Sequence, residues 1–114
     1  MAISLLKMET IMPPPTKDEV MEVLKPISDP EIRIGIVDLG LVYDVIVDED
    51  AKVTVKMTLT TPACPYGEML IAMVHRAVED MENVKEVKVD LVWDPPWDPV
   101  QMATDTAKDL LGIW

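Results

Sequence analysis

The chain's single cysteine lies in LTTPACPYGE, Leu59 to Glu68, where an alternating pattern gives way to a helical one. Pro62 and Pro65 restrict the backbone on either side of Cys64. Pro65 also suits a first helical turn, where its missing N–H costs nothing. This spacing predicts Cys64 as the N-cap of a helix, its sulfur beside free N–H groups and the positive end of the dipole. Such a setting lowers a thiol pKa, and the thiolate is both the nucleophile and the metal ligand. Two readings stand side by side. Free cysteines are among the most buried residues, so Cys64 could be a small hydrophobe; the turn could equally be built to present it.

Nucleophilic catalysis would need a base that reaches the sulfur. The only histidine, His75, falls about 16 Å further along the predicted helix axis. It sits on the wheel near Glu79 and Glu82, away from the apolar stripe, and reads as a surface residue. A CxxC redox pair is excluded by the single cysteine. Structural zinc needs four ligands and iron–sulfur clusters usually four cysteines. A metal or cluster on Cys64 would therefore be incompletely held by one chain, which suits transfer and not storage. A homodimer pairing two Cys64 thiols, or a partner protein, would supply further ligands.

Two other groups stand out. Asp29-Pro30-Glu31, with Asp38 close behind, places carboxylates in a loop; Asx-turns explain such residues, and metal or partner contacts are the alternative. Trp93-Asp94-Pro95-Pro96-Trp97-Asp98-Pro99 concentrates two tryptophans in a proline-stiffened connector. Trp93 and Trp97 either close a core edge or anchor a protein partner.

The elements that must position these residues follow from local pattern. Thr16 and Glu19 form a capping box, behind which Val20, Val23, Leu24 and Ile27 recur at helical spacing. Pro26 disfavours helix at Lys25. Leu39 to Asp48 reads as a strand, Asp48 to Ala51 as a turn. Val53, Val55, Met57 and Leu59 then alternate with Lys56 and threonines, the mark of a strand with one buried face. Leu70, Met73, Val74, Ala77 and Met81 form a helical stripe. Val87, Val89, Leu91 and Trp93 alternate as a third strand. Asp98 and Gln101 read as a second capping box, opening a last helix through Val100, Ala103, Ala107 and Leu110 that stops at Gly112. The predicted fold is α+β: a two-layer sandwich in the order α-β-β-α-β-α, with a three-stranded sheet that includes a β-hairpin and helices on one face. Residues 1–15, ending in three prolines, read as a flexible tail ahead of one domain over 16–114.

Composition narrows the function classes. The 114 residues are 49% apolar and 27% charged, which fits one globular domain. Acidic residues outnumber basic ones 21 to 10, a net charge of −11, so nucleic acid and anionic membrane are poor partners. No apolar run approaches the length of a membrane span. One cysteine and no secretory pattern point to the cytoplasm.

Taken together, SDPE (28–31), VDLGLVYDV (37–45), MTLTTPACP (57–65) and DPPW (94–97) resemble the iron–sulfur cluster assembly accessory family. That family includes SufT-like bacterial factors, PaaD-type proteins and the eukaryotic cytosolic iron–sulfur targeting component. The resemblance covers residues ~16 to 112 and implies an accessory role, not an enzymatic one, in maturing clusters or delivering them to apo-proteins. It implies that Cys64, in the family's T-x-P-x-C-P position, is the reactive thiol and transient ligand of a cluster or iron, with no group stably bound. Asp29 and Glu31 occupy the family's acidic motif. Asp29, Glu31, Asp38, Thr60, Thr61, Pro62 and Pro65 are the expected supporting site, and Trp93 and Trp97 the expected partner surface. The partners implied are iron–sulfur assembly proteins and apo-protein clients. The other readings are a PaaD-type component of a multi-subunit oxygenase, a thiol enzyme or redox sensor, and an interaction module with an incidental cysteine.

Overall fold

The computed structural model describes residues 13–60 and 65–113. Helix α1 (Lys17–Leu24) opens on the expected capping box: Thr16 Oγ1 accepts from Glu19 N at 3.1 Å, and Glu19 Oε1 accepts from Thr16 N at 3.0 Å. The helix ends before Pro26, as the proline requires. Strands β1 (Val42–Val47) and β2 (Lys52–Met57) form the predicted antiparallel hairpin, with Val45 opposite Val55. Helix α3 (Gly67–Glu79) then carries the chain to β3 (Glu86–Leu91), which pairs with β2 in parallel, Val55 opposite Val89. The sheet order is β1-β2-β3, so the most regularly alternating strand is central.

Alternation in β2 does what its pattern promises. Val53, Val55 and Met57 are buried on one face, while Thr54 and Lys56 point to the other. Helix α1 packs on β1 and α3, and α3 on β3, covering the apolar side. On the uncovered side Asp44, Lys56 and Asp90 fall in one cross-strand row, where opposite charges side by side favour this register.

Six local expectations are corrected. A one-turn helix, α2 (Ile36–Leu39), takes Leu39, the first residue of the predicted first strand; Leu39 is fully buried there, as is Ile36 in the segment before the strand. Helix α3 begins at Gly67 with Tyr66 as N-cap and no capping side chain; Cys64 is therefore not the N-cap. Its buried line is Leu70, Val74 and Val78, and Met73 is 41% exposed. Trp93 lies beyond β3. The last helix is two: α4 (Pro99–Met102) and α5 (Asp105–Leu111), broken where Ala103 turns extended and Thr104 caps anew. Asp98 caps α4 by accepting from Val100 N at 3.0 Å, without the reciprocal Gln101 bond.

Residues 1–12 of the predicted tail lie outside the described residues. Pro13 to Pro15 do not: Pro15 is buried, and the Asn83 side-chain amide donates to the Pro13 carbonyl at 3.1 Å.

Candidate functional site

Because β2 and β3 are parallel, their C-terminal ends open on the same edge of the sheet, and β1 enters there. Four predicted segments meet at this edge. Thr58 N donates to Leu41 O and Val92 N to Met57 O, both at 2.8 Å, extending the ladder past the strands. Trp97 Nε1 donates to Leu39 O at 2.8 Å, and the Tyr43 hydroxyl to Pro95 O at 2.7 Å. Thr104 N donates to Asp38 O at 2.8 Å, and Thr104 Oγ1 to Asp38 Oδ1 at 3.4 Å. Burial holds the Tyr43 phenol above its ordinary pKa, since the charged form is the one that loses hydration; it stays a donor to Pro95. Gly40 ends α2 in the left-handed region, at φ 78°. A Cβ there would stand 2.4 Å from Met102 O, so only glycine lets the α2–β1 junction lie against α4.

This edge frames the cysteine turn. Thr58 and Leu59 are buried at 1% and 6% exposure, fixing the take-off from β2. Thr60 is half-buried and Pro65 exposed on the return. Thr61, Pro62 and Cys64 lie outside the described residues. Tyr66, two residues after Cys64, is the N-cap of α3, so the expectation that Cys64 caps this helix is not met.

The acidic loop turns out to be built around Asp29. Its side chain is among the buried polar groups, at 2% exposure. Oδ1 accepts from Glu31 N at 2.8 Å and from Ile32 N at 3.4 Å, an Asx-turn. The backbone closes the same loop, with Asp29 N donating to Ile34 O and Arg33 N to Asp29 O. Arg33 takes φ 57° there. Glu31 is exposed. Asp38 is exposed and ties α2 to α5 through Thr104. Among the described residues no three His, Cys, Asp or Glu side chains stand together to hold a metal. His75 pairs loosely with Glu79, at 3.8 Å across one helical turn, as its wheel position implies.

The two tryptophans part ways. Trp97 is half-buried and hydrogen-bonded inward, closing a core edge; Trp93 is 43% exposed. Sequence reasoning missed Tyr43 and Thr104 as edge-builders, since their partners are 52 and 66 residues away. It also missed an exposed line of Tyr66, Met69 and Met73, whose i, i+3, i+7 spacing was visible in the chain.

Comparison with known proteins gives a consistent answer. Residues 17–91 match the model of a family described as iron–sulfur cluster assembly protein. The chain is 42% identical over 97 residues to the Fe-S protein maturation auxiliary factor YitW of Bacillus subtilis, covering 85% of this chain and 94% of that one. It is 41% identical over 87 residues to the Fe-S protein maturation auxiliary factor SufT of Staphylococcus aureus, covering 76% and 98%. Among solved structures, a conserved hypothetical protein from Thermotoga maritima superposes with a TM-score of 0.79 at 36% identity, covering 90% and 100%.

Proposed function

The chain belongs to the iron–sulfur cluster assembly protein family, and from that membership we propose that it is an accessory factor that passes clusters or iron to apo-proteins through Cys64. The observation that carries this is the convergence at one sheet edge. The Cys64 segment leaves β2 where the acidic-motif loop's helix, the Tyr43–Pro95 contact and the Trp97 anchor all meet. Relatives named as maturation auxiliary factors, matched over most of their length, support the same role.

The chemistry follows from ligand count. One thiolate offers one of the four ligands that a cluster usually takes, so cargo on Cys64 keeps positions open for an incoming cysteine. Exchange then proceeds one ligand at a time: a client thiol loses its proton, binds iron, and Cys64 leaves. A chain that held all four ligands would gain affinity and lose that route. The factor catalyses no covalent turnover of its own, and its partners are the assembly machinery and apo-proteins awaiting clusters. Exposed Glu31 and Trp93 supply contacts for them. Net charge −11 favours partners with basic faces and slows wrong encounters with acidic ones.

The test is anaerobic transfer of a reconstituted cluster to an apo-ferredoxin, followed by visible absorbance. Cys64→Ser should slow transfer by about tenfold or more, the usual scale for loss of a key ligand contact, with the far-ultraviolet circular dichroism unchanged. Transfer at the unaltered rate would remove Cys64 from the mechanism.

A further inference from the structure

Strand β3 is one edge of the sheet, and its inner side is paired without a break, from Lys52 opposite Glu86 to Met57 opposite Leu91. Among the described residues no strand pairs with its outer side. The other edge is blunted. β1 carries a register irregularity between Val42 and Asp44, where Lys17 also reaches in at 2.8 Å; bulges and charges are how proteins close an edge. The apolar residues of β3 are also less covered than their neighbours. Val53, Val55 and Met57 are at most 1% exposed, whereas Val87, Val89 and Leu91 are half-buried.

One bond fixes which backbone groups point outward. Val92 N donates to Met57 O at 2.8 Å, so Val92 faces β2. The N–H and C=O of a strand residue point the same way, and the direction alternates along the strand. Asp90 and Lys88 therefore turn their backbone groups toward β2, while Val87, Val89 and Leu91 present theirs outward.

A second copy related by a two-fold axis must pair these outward residues with one another, which leaves few registers. Val87 opposite Val89 would set Lys88 against its own copy, and Val89 opposite Leu91 would set Asp90 against its own. Like charges directly opposite destabilise a pair. Centring the axis on Val87 or on Leu91 leaves at least half of β3 unpaired. Centring it on Val89 sets Lys88 against Asp90 of the second copy, twice over, and Val87 against Leu91. Those charges then fall at the non-hydrogen-bonded positions, where Cα atoms approach to about 4.5 Å and side chains are closest. The row on the uncovered face, Asp44, Lys56 and Asp90, continues into the second copy's Lys88, alternating in sign across the junction.

We infer that two copies of this chain join β3 to β3 antiparallel, with the two-fold axis at Val89, doubling the three-stranded sheet. The edges that carry the cysteine segments then lie at opposite ends of the joined sheet. The dimer keeps the two segments apart, so further ligands for cargo have to come from a partner protein. The inference uses neither Cys64 nor cluster chemistry and stands or falls separately from the proposed function.

Sedimentation velocity on the full chain, from about 10 µM to about 500 µM, tests it, since a short edge pairing is a small interface of the weak class. A dimer that grows with concentration is expected; a monomer throughout overturns the inference. Two charge variants test the register. Lys88→Asp opposes carboxylates and Asp90→Lys opposes ammonium groups, so each alone should dimerise about tenfold more weakly. Mixed in equal amounts, the two restore both opposite-charge pairs, and the mixed dimer should form as readily as that of the unaltered chain. Variants that dimerise undiminished, or a mixture that stays monomeric while both variants keep their circular dichroism, overturn it. Amide exchange reads the unaltered chain directly. Val87, Val89 and Leu91 should exchange about tenfold more slowly in concentrated than in dilute samples. A dimer that leaves these three amides unchanged uses another face and overturns the inference.

Discussion

The two ends of the sheet are built on different principles. At the hairpin end the turn closes on local bonds. Asp48 Oδ1 accepts from Asp50 N and Lys52 N, both at 2.9 Å, and Ala51 N donates to Asp48 O at 3.1 Å. The turn holds itself with four neighbouring residues, while Lys85 N, donating to Ala51 O, and the Lys52–Glu86 ion pair at 3.9 Å tie it to the next strand. At the opposite end the bonds join residues 52, 58 and 66 positions apart: Tyr43 to Pro95, Trp97 to Leu39, Thr104 to Asp38. Each end has one residue in the left-handed region. At the hairpin it is half-buried Ala51, at φ 62°; at the far end it is Gly40, at φ 78° against the Met102 backbone. A self-contained turn tolerates a strained alanine. A junction where three segments meet has no room for a methyl group. The end assembled from distant pieces is the one that carries the cysteine segment, which is where a framework fixed by many contacts is useful for positioning a ligand.

Substitutions at those two positions should separate the ends most widely. Gly40→Ala must accept both the left-handed penalty and a backbone clash, so a loss of about 3 kcal/mol or more is expected in urea denaturation. Ala51→Gly meets no clash and relieves strain, and should stabilise by up to about 1 kcal/mol. Equal effects of the same sign would erase the contrast.

Asp29 sharpens it next. Asp29→Ala strands two backbone donors in a buried loop, at a cost of about 2 kcal/mol. If cluster transfer measured at a temperature where the variant is folded remains normal, Asp29 is a framework residue. A transfer defect in the folded variant would give it a direct part.

Trp97→Phe keeps most of the apolar packing and removes the bond to Leu39, so about 1 kcal/mol should be lost. Trp93→Phe should change stability by less than about 0.5 kcal/mol, as an exposed site does. If Trp93→Ala instead weakens binding to an assembly partner in calorimetry, the two tryptophans divide into one framework residue and one contact.

The smallest effect is electrostatic. Lys17 Nζ donates to Asp44 Oδ1 at 2.8 Å, and Val45 N donates to the same oxygen. The Lys17 bond, then the Val45 bond, hold the Asp44 carboxyl below its ordinary value of 3.8. Its folded pKa is lowered, so the contribution to stability is present above the unfolded pKa and is lost as pH falls through the folded one. Carbon-detected titration of Lys17→Gln should move the Asp44 midpoint back toward its ordinary value. An unmoved midpoint would leave the Val45 bond and the neighbouring Lys56 charge as the causes.

Much of the hairpin end and the order of elements was legible in the chain. The Thr16 capping box, the alternation of β2, the Asp48 turn and the Asp98 cap each depend on residues within four positions of one another. The Asp29 Asx-turn was readable for the same reason. The motifs that carry the family resemblance were equally visible, as four short stretches in a fixed order. What was missed has a common origin. Met73 matched a helical stripe, yet which side of a helix is buried depends on what packs there. Leu39 looked like the first residue of a strand, and burial beside Ile36 made it the end of a helical turn. Trp93 and Trp97 sit in nearly the same local setting, and only the approach of Leu39 O distinguishes them.

The sequence alone therefore determined the elements whose hydrogen bonds and side-chain periods close within a turn or two, and with them the family. Only tertiary structure decided that β3 runs parallel to β2, that α3 starts after Tyr66, and that four separate segments meet at one sheet edge. Those outcomes depend on contacts between residues far apart in the chain, whose free energy appears only once the intervening loops have closed.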